Sequence, residues 1–331
     1  MNISKIIENV EKIVKTHEIE TGKYKRWLWQ NKEENRNLGI NEYGCADAAN
    51  ILYTIGKFPS EPVEREKWVD ALCSLQDEET GLFNEPTHHF IHTTAHCTAA
   101  LELFDQKPRH PFKALEKYMT PEGLYELLEE VDWINDPWPC SHRGAGIYAA
   151  LVINGDASRE WIKAYFDWFR NECDPKTGLW RKEYIDKSTL PHYPHMGGSF
   201  HYMFNHEHAK MPHPYPDKLI DTCIDMYRKR EFMPSFARQF NFIEADWVYC
   251  INRATRQTPH RFYEAKEEIR KFASEFIEYL NGVDWEKDDG ANDLHMLFGV
   301  VCCLAELQTA LPGEIETEIP LKLVLDRRPF I

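Results

Sequence analysis

Ile3, Ile6, Ile7, Val10, Ile13 and Val14 recur at the i, i+3, i+4 spacing that gathers apolar side chains on one face of a helix. The same period returns late in the chain in Ile269, Phe272, Ala273, Phe276, Ile277 and Leu280. Between such half-apolar segments lie stretches that are apolar on most faces: DAANILYTI (47–55), TAHCTAALELF (94–104), GAGIYAALVI (144–153) and LHMLFGVVCCLAEL (294–307). A helix apolar all round is buried on both sides. The alternation therefore predicts two layers of helix, one inside the other.

A second pattern punctuates the first. Gly-x-aromatic appears at Gly22-Lys-Tyr24, Gly81-Leu-Phe83, Gly123-Leu-Tyr125 and Gly178-Leu-Trp180, with Thr directly before the glycine in three of the four. Glycine suits the left-handed residue that closes a helix, so each is read as a turn whose aromatic folds back onto the bundle. Anchoring the buried helices at Asp47, Thr93, Arg143, Phe200, Asp246 and Asp293 spaces them between 46 and 57 residues apart. Self-similarity at such a period marks a repeat architecture, here six helical hairpins. The stretch VDALCSLQDEETGLF (69–83) resembles the outer-helix-to-turn motif of the terpenoid cyclase and protein prenyltransferase toroids, and DPKTGLW (174–180) resembles the inter-helix turns of six-hairpin glycosidases. The resemblance implies an all-α fold, an (α/α)6 toroid of six inner and six outer helices forming one domain over residues 1–331. It also places the site at one end of the ring. These motifs are structural and speak to fold rather than chemistry.

Composition narrows the partners. Thirty-nine Lys and Arg against 54 Asp and Glu leave a formal net charge of −15, and no basic run interrupts the acids. Phosphate neutralisation needs clustered cations, so nucleic acid and anionic membranes are excluded as expected partners. The opening segment breaks its apolar residues with charges and lacks a signal-peptide core, and no apolar run reaches the roughly 18 residues of a membrane span. The nine cysteines are dispersed without a CxxC pair. They read as buried thiols of a cytoplasmic protein. The unusual feature is the supply of rings, 10 Trp, 15 Tyr, 18 Phe and 15 His. They fill a core or line a pocket.

The segments leading into the buried helices concentrate acids, His, Trp and Arg: NEYGCAD (41–47), NEPTHHFIHTTAH (84–96), EEVDWINDPWPCSHR (129–143), HYPHMGGSFHY (192–202), RQFNFIEADW (238–247) and DDGANDLH (288–295). In a toroid all six converge on one cavity. Sugar hydrolysis needs two carboxyl groups facing one another across the scissile bond. Asp246 and Asp293, opening neighbouring inner helices, are the first such pair, with Asp136 and Asp47 next; the ordinary role of an Asp at a helix start is capping. Trp133, Trp138 and Trp247 are expected to stack on sugar rings, with His92, His142, Arg143, His195 and Arg238 binding the substrate. His201 and His295 share protons, and paired histidines are also what a sugar epimerase of this shape uses. His92 and His96, four residues apart, have the spacing of zinc ligands, but the glutamate of HExxH is missing. No cofactor is expected, with zinc at the His cluster as the exception to test. No DxDD motif is present, Gly197-Gly198 lacks the Lys of a phosphate loop, and the cavity's bases would quench carbocations. EAKEEIRKF (264–272) reads as a solvated outer face, and PLKLVLDRRPFI (320–331) as an extended segment packed on the ring.

The expectation from sequence is a carbohydrate-active enzyme, in the first place a glycoside hydrolase acting on a small molecule or oligosaccharide. A paired-His epimerase or isomerase, a terpenoid cyclase-like or prenyltransferase-like enzyme, and a non-catalytic binding module stay open.

Overall fold

The computed structural model describes residues 1–32 and 35–331. It is predominantly helical. In chain order the elements are α1 (Ser4–His17), the hairpin strands β1 (Glu18–Glu20) and β2 (Lys23–Tyr24), α2 (Glu42–Thr54), α3 (Pro62–Cys73) and α4 (Phe90–Glu102). There follow a 3-10 segment (Lys113–Tyr118), α5 (Pro121–Glu129), α6 (Pro137–Asn154), α7 (Arg159–Glu172), α8 (Tyr184–Lys187) and α9 (His192–Ala209). The chain finishes with α10 (Pro216–Lys229), α11 (Ile243–Ala254), α12 (Phe262–Gly282), α13 (Leu294–Ala310) and α14 (Val324–Arg327).

The six segments read as buried helices are α2, α4, α6, α9, α11 and α13. Each packs on the next, and α13 returns to α2. The amphipathic helices lie outside them. α1 and α12 bury the stripes read from the sequence, and the charged face of α12 pairs with itself through Lys271 and Glu267 at 3.2 Å.

One local device repeats and fixes where the inner helices begin. Asp77 and Asp174 each open a turn in which the carboxylate accepts the Thr80 or Thr177 hydroxyl, and the Gly81 or Gly178 amide bonds back to the Asp carbonyl at 2.9 or 2.8 Å. Both glycines, and Gly22, have positive φ, of 78°, 72° and 83°. The aromatic two residues on is buried in each case, and its amide donates to a small polar side chain of an inner helix. Tyr24 N–H reaches Cys45 Sγ at 3.4 Å, Phe83 reaches Thr94 Oγ1 at 3.1 Å and Trp180 reaches Ser199 Oγ at 2.9 Å. A buried amide left unpaired would cost about 1–3 kcal/mol, so these contacts lock turn to helix. Gly123 departs from the pattern. It sits inside α5, where a Cβ would meet the Lys117 carbonyl at 1.8 Å, and its partner Tyr125 is exposed. There glycine serves close packing rather than a left-handed turn.

The tryptophans follow a second rule. Trp133 donates its indole N–H to Leu128 O at the end of α5 (3.0 Å), and Trp285 does the same for Leu280 O in α12 (3.0 Å). Trp180 and Trp247 likewise donate to Phe169 O and Cys223 O. Buried indoles thus hold the outer helices.

The C-terminal segment is not merely laid on the surface. It forms α14, which touches both α2 and α9, and is held by Arg327 to Asp105 and by Arg328 to Asn50. Phe330 then lies among the rings of His92, His96 and Phe204. Residues 324–331 thus cover the C-terminal side of α2 and α9.

Candidate functional site

At the other end, where the inner helices start, a cavity of about 400 Å³ opens. α4 contributes His92, α6 contributes Trp138, Cys140, His142 and Arg143, and α9 contributes Phe200 and His201. Phe242 and Asp246 enter from the start of α11, and His295 and Met296 from α13. Thr87, His88, His89, Asp136 and Asn241 form the rim side, and Ile331 of the C-terminal segment forms part of the floor. Gly197 explains how Trp138 comes to face inward: a Cβ there would lie 2.7 Å from the indole, so only glycine lets the ring seat between α6 and α9. The adjacent Gly198 approaches Pro137 O in the same way.

The histidines form a line of rings. His88 to His92, His92 to His142 and His142 to His201 have centroids 4.7, 4.4 and 4.4 Å apart. Burial, with the neighbouring imidazoles adding to it, pulls His92 and His142 well below the ordinary histidine range. Burial alone pulls His201 down to about 3. His295 is pulled to about 4 by burial, against an upward pull from Asp47. All four are neutral at neutral pH.

Two of these rings have their tautomers fixed by their neighbours. The single Ser141 hydroxyl hydrogen goes to Trp138 O at 2.7 Å, so Ser141 Oγ accepts from His201 Nδ1 at 2.7 Å. His201 therefore keeps an unprotonated Nε2. On α13, His295 Nδ1 donates to Asp47 Oδ2 at 3.1 Å, while His96 Nε2 donates to Asp47 Oδ1 at 2.7 Å. Burial would raise the Asp47 carboxyl, but the two imidazoles outweigh it and hold Asp47 below the usual carboxylate range. An anionic Asp47 thus orients His295 with its Nε2 free, the arrangement of a carboxylate–histidine general base.

Asp246 is the opposite case. It is fully buried, and among the described residues neither carboxyl oxygen makes a well-formed hydrogen bond, the Trp138 indole being the donor near it. Burial, reinforced by the nearby Glu244, raises it well above the carboxylate range despite the Trp138 indole pulling the other way. It stands on α11, between the helices of His201 and His295 in the order of packing. The site thus combines two neutral imidazoles with a carboxylic acid able to donate.

The cavity brings together eight of the residues expected from sequence: Asp136, Asp246, His201, His295, Trp138, His92, His142 and Arg143. Asp47 lies one layer beneath, through His295. The remaining five stand elsewhere. Asp293 caps α13 through the His295 amide and is bound on both oxygens by Arg26, at 2.8 and 2.9 Å, so it does not face Asp246 across the cavity. Trp133 and Trp247 are core residues with their indoles spent on outer-helix carbonyls. His195 is buried, with neither ring nitrogen bonded among the described residues, and Arg238 is exposed and paired with Glu275 at 2.7 Å. Phe242, Met296, Asn241 and Ile331 were not singled out from sequence. Phe242 and Met296 lie within four residues of the anchors Asp246 and Asp293, and that proximity is their one signal in the sequence.

Asp47, His96 and His295 also offer three ligand atoms within 4.8 Å of one another, all buried, and could hold a metal ion. His92 belongs to a different contact, with the Tyr43 hydroxyl at its Nδ1. Asp136 stands exposed at the mouth, accepting from the Cys140 thiol at 3.2 Å. All nine cysteines are unpaired. Among the described residues no helix is long and apolar enough to cross a membrane. Comparison with protein-family models, with curated proteins and with solved structures found no match.

Proposed function

We propose that the chain is a single-domain (α/α)6 toroid enzyme that isomerises or epimerises a small sugar by proton transfer, with His295 and His201 as bases and Asp246 as the acid at the substrate oxygen. The toroid rests on the cyclic packing of the six inner helices. The reaction rests on one observation. Two cavity imidazoles each give the Nδ1 hydrogen to a fixed acceptor and keep Nε2 free, on helices that flank Asp246.

His295 Nε2 removes the proton from the carbon beside a carbonyl. The electron pair of that C–H bond becomes a C=C bond while the carbonyl oxygen takes the Asp246 proton, giving an enediol. For isomerisation, His295 returns its proton to the neighbouring carbon and Asp246 recovers one from the other hydroxyl. For epimerisation, His201, having taken a proton from solvent through the open cavity, delivers it to the opposite face of the same carbon. The enediol oxygen returns its proton to Asp246 as the carbonyl re-forms, and His295 releases its proton to solvent. The volume lies in the small-molecule range of roughly 300–1,000 Å³, and Trp138 offers a ring face. In D2O, a panel of aldoses and ketoses is expected to show deuterium at one carbon of an unhydrolysed sugar by NMR. Replacing His295 or His201 by Ala is expected to slow that exchange by roughly 100- to 10,000-fold. Exchange that survives both substitutions would remove the imidazoles from the mechanism.

Glycoside hydrolysis is the second reading, favoured by Asp246 and Asp136 lining one cavity. Aryl-glycoside cleavage that is lost in Asp246→Asn and unaccompanied by exchange would establish it over the first. The Asp47, His96 and His295 donor set suits zinc, which underlies a metal-dependent, prenyltransferase-like alternative. Saturable ligand binding without any turnover would leave a binding module.

A further inference from the structure

Arg143 is the one fixed cation among the residues lining the cavity, and among the described residues it makes no ion pair or side-chain hydrogen bond. That is unusual in this molecule. Acids outnumber bases 54 to 39, and of the five buried guanidiniums among the described residues four are tied to carboxylates, Arg26 to Asp293 at 2.8 Å and Arg253 to Glu306 at 2.8 Å among them. Arg328, bound to Asn50 in the C-terminal segment and away from the cavity, is the exception. A half-buried guanidinium gives up water without a compensating partner, which is unfavourable unless a ligand supplies one. The cavity does not balance it from within. Its imidazoles and Asp246 are neutral, and Asp47 is already shared between two histidines. Asp136, at the residue before α6, is the one exposed carboxylate of the rim; it accepts from Cys140 and makes no ion pair with Arg143.

We infer that the substrate carries a carboxylate and that Arg143 binds it, making the ligand an acidic sugar of the uronate type. This rests on the sugar-directed reading of the site given above. A guanidinium fork matches a planar carboxylate with two parallel N–H···O bonds. One unassisted arginine balances one negative charge. A phosphate dianion would call for a lysine or a run of backbone amides beside it, and the lining supplies no lysine. With the carboxylate on α6, the rest of the ring extends across Phe200 and Phe242 toward the imidazoles of α9 and α13.

The test is equilibrium binding by calorimetry to the full chain, which needs no turnover. D-glucuronate and D-galacturonate are compared with glucose, galactose and glucose 6-phosphate, for wild type, Arg143→Gln and Arg143→Lys. At least one uronate is expected to bind tenfold or more tightly than its neutral counterpart. Arg143→Gln is expected to erase that ratio and Arg143→Lys to keep part of it, with circular dichroism showing the variants folded. Equal affinity for acidic and neutral sugars, a ratio unchanged in Arg143→Gln, no uronate binding at all, or preference for the phosphate would each overturn the assignment. Arg143-dependent uronate binding without solvent deuterium exchange would instead overturn the proton-transfer reading and leave this one standing. Exchange confined to neutral sugars and indifferent to Arg143 would do the reverse.

Discussion

Among the described residues neither oxygen of Asp246 makes a well-formed hydrogen bond, whereas in the unfolded chain the same carboxyl ionises freely above about pH 3.9. Holding it protonated at neutral pH therefore costs folding free energy, and the sign follows from linkage. Its folded pKa is raised, so the folded state binds a proton that the unfolded state has lost. Asp246→Asn is expected to raise the thermal midpoint at pH 7. The gain should shrink as pH falls toward 4, where the unfolded carboxyl also protonates, and proton-transfer activity should be lost throughout. A midpoint that drops equally at both pH values would mean the carboxyl is a structural partner after all. Asp47 is expected to behave in the reverse sense. Asp47→Asn leaves His295 without an anionic acceptor, and kcat should fall by roughly 100-fold or more with little change in KM, the mark of a positioning residue. The polar character of these positions was legible in the sequence, because acids and histidines cluster before each inner helix. Their protonation states were not, since burial decides them.

At the scale of elements, the Asp-x-x-Thr-Gly-x-aromatic turns carry the register between outer and inner helices. Gly178 has φ of 72°, and a Cβ there would lie 2.6 Å from the Leu219 amide nitrogen. Gly178→Ala is expected to destabilise by more than ~1 kcal/mol in urea unfolding, through both strain and overlap. Ser199→Ala, which strands the Trp180 amide, should cost about 1–3 kcal/mol. The motif was readable because glycine and aromatic recur at fixed spacing. Gly123 shares the motif without the turn, because Thr120 caps α5 just before it and Pro121 starts the helix, carrying the glycine inside. Trp133 misled for a related reason. Its loop position is that of a pocket residue, but an indole N–H beside the end of a helix finds the Leu128 carbonyl first.

For the whole molecule, the buried histidines dominate the acid response. His17, His206 and His295 are pulled to about 4, and His201 and His213 to about 3, each chiefly by burial. Their folded pKa values lie below the unfolded one near 6.5. The unfolded chain thus binds more protons between about pH 6.5 and 4, and stability is lost as pH falls through that window. Glu42 and Glu244, raised to about 7 by burial, and Asp246, raised well above the carboxylate range, oppose the trend but are fewer. Urea midpoints are expected to fall steeply from pH 7 to pH 5, and a flat profile would show that the histidines are solvated. Metal content discriminates at the same scale. If purified protein holds one zinc per chain and chelation abolishes activity, His295 is a ligand rather than a free base.

The sequence by itself determined the helical class, the alternation of buried and half-exposed helices and the end of the bundle where polar residues gather. Each of these is a local pattern, set by periodicity and by glycine in turns. Tertiary structure alone decided which of the gathered residues share a cavity. Asp293 was lost to Arg26, some 270 residues away in sequence, and His295 was recruited by Asp47 from across the chain. Residues 324–331 were drawn in against α2 and α9. These pairings join residues far apart in the chain, and they exist only once the inner helices have packed.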